Sequence, residues 1–243
     1  MNNVSLISAI VSLAGAVTTA VLGGVFEWRR RRADREQTRR DLVSRFGEPL
    51  VQASVLLAWR LRNAIDLFSG KPVKQTPLGA DRQDDYNLYE TLYRLAAFLG
   101  WVEILYRDAH FLDLGNRRRN RRFLHRLAAA DSAIAGGSGP DAPFVLLSGE
   151  RRAIGEVMVA PDTDPARCLG YVEFRRRYES DEEFRRWFVP AVDQLRILVE
   201  TKPAGAVRQL THAHNTLIEL VDFLDPRKAW INTPRDKLEL TKG

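Results

Sequence analysis

The side chains able to do chemistry in this chain are few, and their spacing says more about charge than about catalysis. His110, His125, His212 and His214 are its four histidines. Two apart on a helix, His212 and His214 face different sides, whereas a chelating HExxH pair stands four apart on one face. His214 interrupts an apolar stripe, which predicts a hydrogen-bonded core histidine. The lone Cys168 would need a neighbouring base and a lowered pKa to act as a nucleophile. Nothing beside it signals either, so a plain thiol is predicted. No GxSxG, CxxC, kinase, deaminase, GxxxxGK[ST] or GxGxxG pattern occurs. Acid pairs such as Asp84-Asp85 and the run Asp181-Glu182-Glu183 fit helix starts, where negative charge meets the positive end of the dipole. The sequence therefore assigns no catalytic residue, no cofactor and no metal.

Arginine is the residue whose placement carries information. Residues 27–46 hold eight Arg against Glu27, Asp34, Glu36 and Asp41, and residues 117–126 hold six Arg and no acid. These stretches exceed the formal +6 of the whole chain, so the remainder is net acidic. Local basicity of this kind predicts two anion-facing patches. Arg117, Arg118, Arg119, Arg121 and Arg122 stand at a predicted helix start, where their sign opposes the dipole. Phosphate, anionic lipid or an acidic protein partner would each compensate them. Nucleic acid is the less favoured partner, because no interleaved aromatics, zinc spacing or helix-turn-helix pattern accompanies the run. A solvated or intramolecularly paired patch is the competing reading.

The first basic stretch follows an uncharged run, Val4 to Phe26. As a helix it spans about 34 Å, enough to cross a hydrocarbon core about 30 Å thick. Met1-Asn2-Asn3 has no side-chain charge, while Trp28 and Arg29, Arg30, Arg31 and Arg32 follow at once. The positive-inside rule then predicts a single-pass protein of the cell membrane, with its N-terminus outside and its C-terminal bulk in the cytoplasm. Trp28 suits the interface, and the neck arginines suit anionic headgroups. Within the span, Ser8, Ser12, Ala16, Ala20 and Gly24 recur every four residues beside Gly15, Thr19 and Gly23. Small faces let helix backbones approach in lipid, which predicts a homo-oligomer.

Composition and periodicity supply the elements that would position these groups. A mean hydropathy of −0.28 excludes a polytopic membrane protein, and the single cysteine excludes an intrachain disulfide. The expected architecture is mostly α: an extracytoplasmic stretch 1–3, a transmembrane anchor 4–26, a basic juxtamembrane helix 27–46, a bundle-like soluble domain 47–226 with a break at 136–143, and a polar tail 227–243, mobile apart from an anchor at Trp230-Ile231. Gly47-Glu48-Pro49 predicts an interruption before a central helix from Leu50 to Phe68. A long helix is predicted over 84–114, with Gly100 permitting a kink or a close crossing. Tyr86, Tyr89 and Tyr93 form a row on it, read as core edge in preference to a ligand pocket. Helices resume at Arg117–Ile134. Near 144–159 the pattern allows a short irregular or β segment: Phe144 to Leu147 suits a strand or the lead-in to a helix, and 148–156, whose two glycines suit turns or close packing, is left open between helix and hairpin. Ser180 opens a predicted capping box, and Asp225-Pro226 ends a final helix with a three-four apolar stripe.

These readings predict a membrane-tethered helical interaction or scaffold protein that self-associates through its anchor. The alternative is a membrane-associated effector or sensor whose arginine patch binds nucleic acid or anionic lipid. An enzyme with an unrecognised site is the third reading.

Overall fold

The computed structural model describes residues 23, 26–33, 37, 43–71, 80–108, 114, 116–136, 142–163 and 166–239. The predicted anchor lies outside these residues apart from Gly23 and Phe26. No helix among the described residues is long and apolar enough to cross a membrane. The architecture is mostly helical, and no strand occurs among the described residues. A π-turn at Val43–Gly47 leads into α1 (Glu48–Phe68), followed by α2 (Ala80–Asp108), α3 (Arg117–Ala135), α4 (Ser148–Met158), α5 (Tyr171–Ser180), α6 (Glu182–Arg186), α7 (Val189–Thr201) and α8 (Ala206–Leu224).

The interruption predicted at Gly47-Glu48-Pro49 does not occur. Gly47 keeps helical dihedrals, with φ −73° and ψ −44°, and Pro49 sits in the first turn of α1, where no partner carbonyl for its missing N–H exists. Phe46 is buried, so burying its ring holds the π-turn against the body.

α8 is central. Leu210, Ala213, Leu217, Ile218, Leu220 and Val221 are all buried, and the helix packs against α1 on one side and α3 on the other. The core continues without interruption across the 136–143 break, joining Leu127 and Ile134 to Ile154, Met158 and Phe174. Gly136 makes the turn with φ +87°, and a Cβ there would meet Phe144 O at 1.8 Å. Leu147, before α4, is extended, with φ −65° and ψ 154°. The backbone of 144–147 is satisfied mainly by side chains: Gln209 donates to Phe144 O at 2.7 Å and accepts from Phe144 N at 3.1 Å, Gln194 accepts from Val145 N, and Glu150 accepts from Leu147 N, while Leu146 N donates to Ala135 O.

The segment 148–156, left open between helix and hairpin, is the helix α4, and Phe144 to Leu147 is its lead-in and not a strand. One isolated antiparallel bridge, Val159 with Cys168, follows it. Of the two uses its glycines suited, Gly155 takes close packing inside a helix. A Cβ on Gly155 would stand 2.8 Å from Leu99 O, and one on Gly100 would stand 2.6 Å from Cys168 Sγ and 2.9 Å from Met158 Cβ. α2 and α4 therefore cross at glycine on both sides, which lets the two backbones approach.

Gly155→Ala and Gly100→Ala should each lower stability by about 1–3 kcal/mol through overpacking, although alanine raises helix propensity by about 1 kcal/mol. Gly149, with open space around its Cα, is the control, and Gly149→Ala should leave stability unchanged or raise it. Denaturant titration followed by circular dichroism reads all three. Equal effects at the three positions would refute the close crossing.

Candidate functional site

The second arginine stretch forms the first turns of α3. Asn116 caps it, its Oδ1 accepting from Arg119 N at 2.8 Å. The preceding Leu114 is buried and donates its N–H to Asn120 Oδ1 at 2.8 Å. The helix end is thus stabilised by neutral hydrogen bonds, independently of the charges it carries. α3 runs antiparallel to α8: Arg119 and Arg126 lie over the Phe223 ring, with guanidinium carbons 5.8 and 5.7 Å from its centroid. Arg126 also pairs with Glu219 at 3.0 Å, and Gly136 abuts Gln209. Glu219 is shared with Lys237 at 2.7 Å. The Lys237 hydrogen bond, helped by Arg126, holds its carboxyl below the usual range.

Arg117, Arg118, Arg121 and Arg122 are exposed, and no acid among the described residues pairs with them. The Arg119 guanidinium lies over the Phe223 ring and pairs with no acid among the described residues. Four and seven residues along the Arg117–Arg121 face lie Leu124, His125 and Ala128, all exposed, with Leu124 at 53 %. The outward surface of α3 is consequently cationic at its start and carries one bare leucine.

Of the neck residues, 26–33 are helical and exposed. Arg32 lies over the Trp28 ring at 5.3 Å, and Arg31 pairs with Glu27 at 2.8 Å. Among the small residues of the predicted self-association face, Gly23 is helical and exposed. Ser8, Ser12, Gly15, Ala16, Thr19, Ala20 and Gly24 lie outside the described residues.

The other chemical candidates have structural surroundings. Burial pushes the His214 imidazole below its ordinary value, partly opposed by its bond to Asn215. Its Nδ1 lies 3.1 Å from Asn215 Oδ1, which holds no proton, so Nδ1 is the donor. Burial pushes the Cys168 thiol well above the thiol range; its Sγ lies 3.6 Å from Ala97 O. Tyr89 stacks edge-on to Tyr178 at 5.4 Å and Tyr93 to Tyr171 at 5.1 Å. These rings border the buried Phe174 and Phe188, so the tyrosine row seals an aromatic core between α2 and α5. Arg151 ties α4 to α3 through a two-pronged pair with Asp131 at 3.0 and 3.1 Å. Between α1, α2, α3, α7 and α8 lies a cavity of about 40 Å³, walled by Leu57, Leu95, Ile134, Leu198 and Leu210. It is apolar, and small beside cavities that accept a benzene-sized guest.

The tail, read as polar and mobile apart from an anchor at Trp230-Ile231, is pinned as far as Leu238 by a lock that sequence reading missed. Arg235 is buried and its Nη2 donates to Asp225 Oδ2 at 2.6 Å, while Nη1 donates to Asp225 O at 2.7 Å. Asp225 also accepts from Ala229 N at 2.7 Å. Asn215 adds a reciprocal pair with the Leu238 backbone, both bonds 2.9 Å. Burial alone would raise the Asp225 carboxyl, but the Arg235 bond and the N–H groups of Ala229, Ile231 and Trp230 outweigh it and hold the group low. Asp225-Pro226 marked only a helix stop in the sequence; the distant Arg235 gave no local signal.

No family model, curated protein or solved structure matches this chain.

Asp225→Asn should destabilise the protein by about 3–5 kcal/mol, because it leaves the Arg235 charge buried without its counter-ion. It should also open the chain after Arg227 and Lys228 to trypsin. Because the folded carboxyl is held low, its stabilisation is full above the unfolded value of about 3.9 and is lost as pH falls through the folded one. Stability measured against pH should therefore fall below about pH 4 in the parent and lose that component in Asp225→Asn. An unchanged acid limb would refute the lock.

Proposed function

We propose that this protein is a membrane-tethered helical interaction protein. In this reading the 4–26 segment anchors it in the cell membrane as a single pass, with the N-terminus outside and the helical body in the cytoplasm. Copies associate along the small-residue face of the anchor, and α3 offers Arg117, Arg118, Arg119, Arg121 and Arg122 to an acidic protein surface or to anionic lipid. The observation that carries the reading is the density of charge at the start of α3: Arg117, Arg118, Arg121 and Arg122 stand exposed within six residues, and no acid among the described residues pairs with them.

The same face exposes Leu124 and one imidazole, His125, but no Phe, Tyr or Trp of α3, which favours protein or lipid over single-stranded nucleic acid, whose bases stack on several aromatic side chains.

Crosslinking of the full-length chain in its membranes tests the assembly. The parent should give discrete oligomers, and replacing Gly15, Ala16, Ala20 and Gly23 together by Leu should reduce them to monomer by blocking backbone approach. An unchanged ladder would remove the anchor as the oligomerisation element.

A further inference from the structure

The packing places the α3 arginines at a particular end of the body. Arg60 on α1 donates to Asn87 O at 2.8 Å and to Thr91 Oγ1 at 2.6 Å on α2, while Leu57 shares a cavity wall with Leu95. Moving backward along α1 is moving forward along α2, so the two are antiparallel. The same cavity is walled by Ala133 and Ile134 at the end of α3. From that level α2 runs on to Asp108 for about 20 Å, and α3 runs back to Arg117 for about 24 Å, at 1.5 Å per residue. Were those two ends on opposite sides of the cavity, about 44 Å would separate them. The connection from Asp108 to Arg117 spans at most about 32 Å when fully extended. The start of α3 therefore lies on the side where α2 ends, which is the side where α1 begins.

That side is where the chain enters from the neck, through the π-turn Val43–Gly47. The C-terminus of α8 reaches it too, since Phe223 lies under Arg119, and exposed Arg227 and Lys228 follow directly. The acids that the end of α8 brings there are engaged: Glu219 with Arg126 and Lys237, Asp225 with Arg235, and Asp222 at 3.6 Å from Arg235. Glu48 and Asp236 are exposed at the same end, but the start of α3 itself is cationic and fringed by Leu124.

We infer that this end face docks on anionic phospholipid headgroups of the bilayer to which the neck leads, with Arg117, Arg118, Arg121 and Arg122 on the phosphates and Leu124 at the headgroup boundary. The inference rests on the anchor reading and commits its cationic patch to one partner. Two features favour lipid over an acidic protein. The patch is on the neck side, and the tether keeps lipid at high effective concentration. Guanidinium forks suit phosphate oxygens, and a polybasic surface beside a lipid-reaching apolar residue is the pattern of peripheral membrane contact.

The test uses the full-length chain with Leu124→Cys and Cys168→Ala, spin-labelled at 124 and reconstituted into vesicles of phosphatidylcholine alone or with one phosphatidylglycerol in three lipids. Collisions of the label with a water-soluble nickel complex should fall several-fold in the anionic vesicles. High salt should reverse the fall by screening, and so should replacing Arg117, Arg118, Arg121 and Arg122 together by Gln. Salt needs no variant, so that arm stands even if the Gln protein misfolds. Equal accessibility in both vesicles, with the chain still resistant to alkaline carbonate, would overturn the docking and leave the anchor standing. Extraction by carbonate would overturn both, and protection of the label that appears only when RNA or an acidic protein is added would overturn the choice of lipid.

Discussion

Removing α8 from water on most of its circumference is the constraint on which the rest of the body depends. A single apolar stripe would need one neighbour, but Leu210, Ala213, Leu217, Ile218, Leu220 and Val221 wrap further round the helix than one partner can cover. α1 and α3 supply the two sides. Each must then hide its own inner face on α8 and turn its outer face to something else. For α1 that is α2, and for α3 it is solvent. The outward face of α3 is free to be strongly basic because packing demands nothing of it.

Once α3 is committed to α8 in an antiparallel sense, its basic start is carried to the C-terminal end of α8, where several fixed charges already meet. Arg126 and Lys237 share Glu219, and the buried Asp225–Arg235 pair ties the last residues across the same end. A buried pair of this kind costs desolvation that its attraction only partly repays, so its value is in fixing geometry. Here it fixes where a polar tail runs and consumes the acids that would otherwise neutralise α3. The cationic surface is as much a product of what the tail does with carboxylates as of the arginines themselves.

The second half of the body is organised by a different device. α2 and α4 meet where Gly100 and Gly155 leave room for backbone and sulfur, and α5, α6 and α7 close over Phe174, Phe184 and Phe188 as an aromatic cluster. Asp181 caps α6 through Phe184 N at 3.0 Å, one position later than the Ser180 box predicts, because the Ser180 hydroxyl instead donates to Arg176 O. Among the charged groups of this half, Arg151 ties α4 to α3 through Asp131, while those of α5 pair within their own helix.

Much was legible in the sequence wherever the physics is local. The apolar periods of α1, α3 and α8, the proline start of α1, the stop at Asp225, the core character of His214 and the inert Cys168 all follow from near neighbours, as does the density of arginine at 117–122. That no acid among the described residues pairs with Arg117, Arg118, Arg121 and Arg122 did not follow, since that depends on which carboxylates arrive from α8 and the tail. Nor did the helix over Ser148–Met158, because a glycine placed for a distant backbone such as Leu99 O looks the same in sequence as one placed for a turn. The end of the body on which the patch lies was hidden for the same reason. Helix direction in a bundle is set by contacts between residues far apart in the chain, and only the packed structure brings Arg60 to Asn87, Arg119 to Phe223 and Arg235 to Asp225.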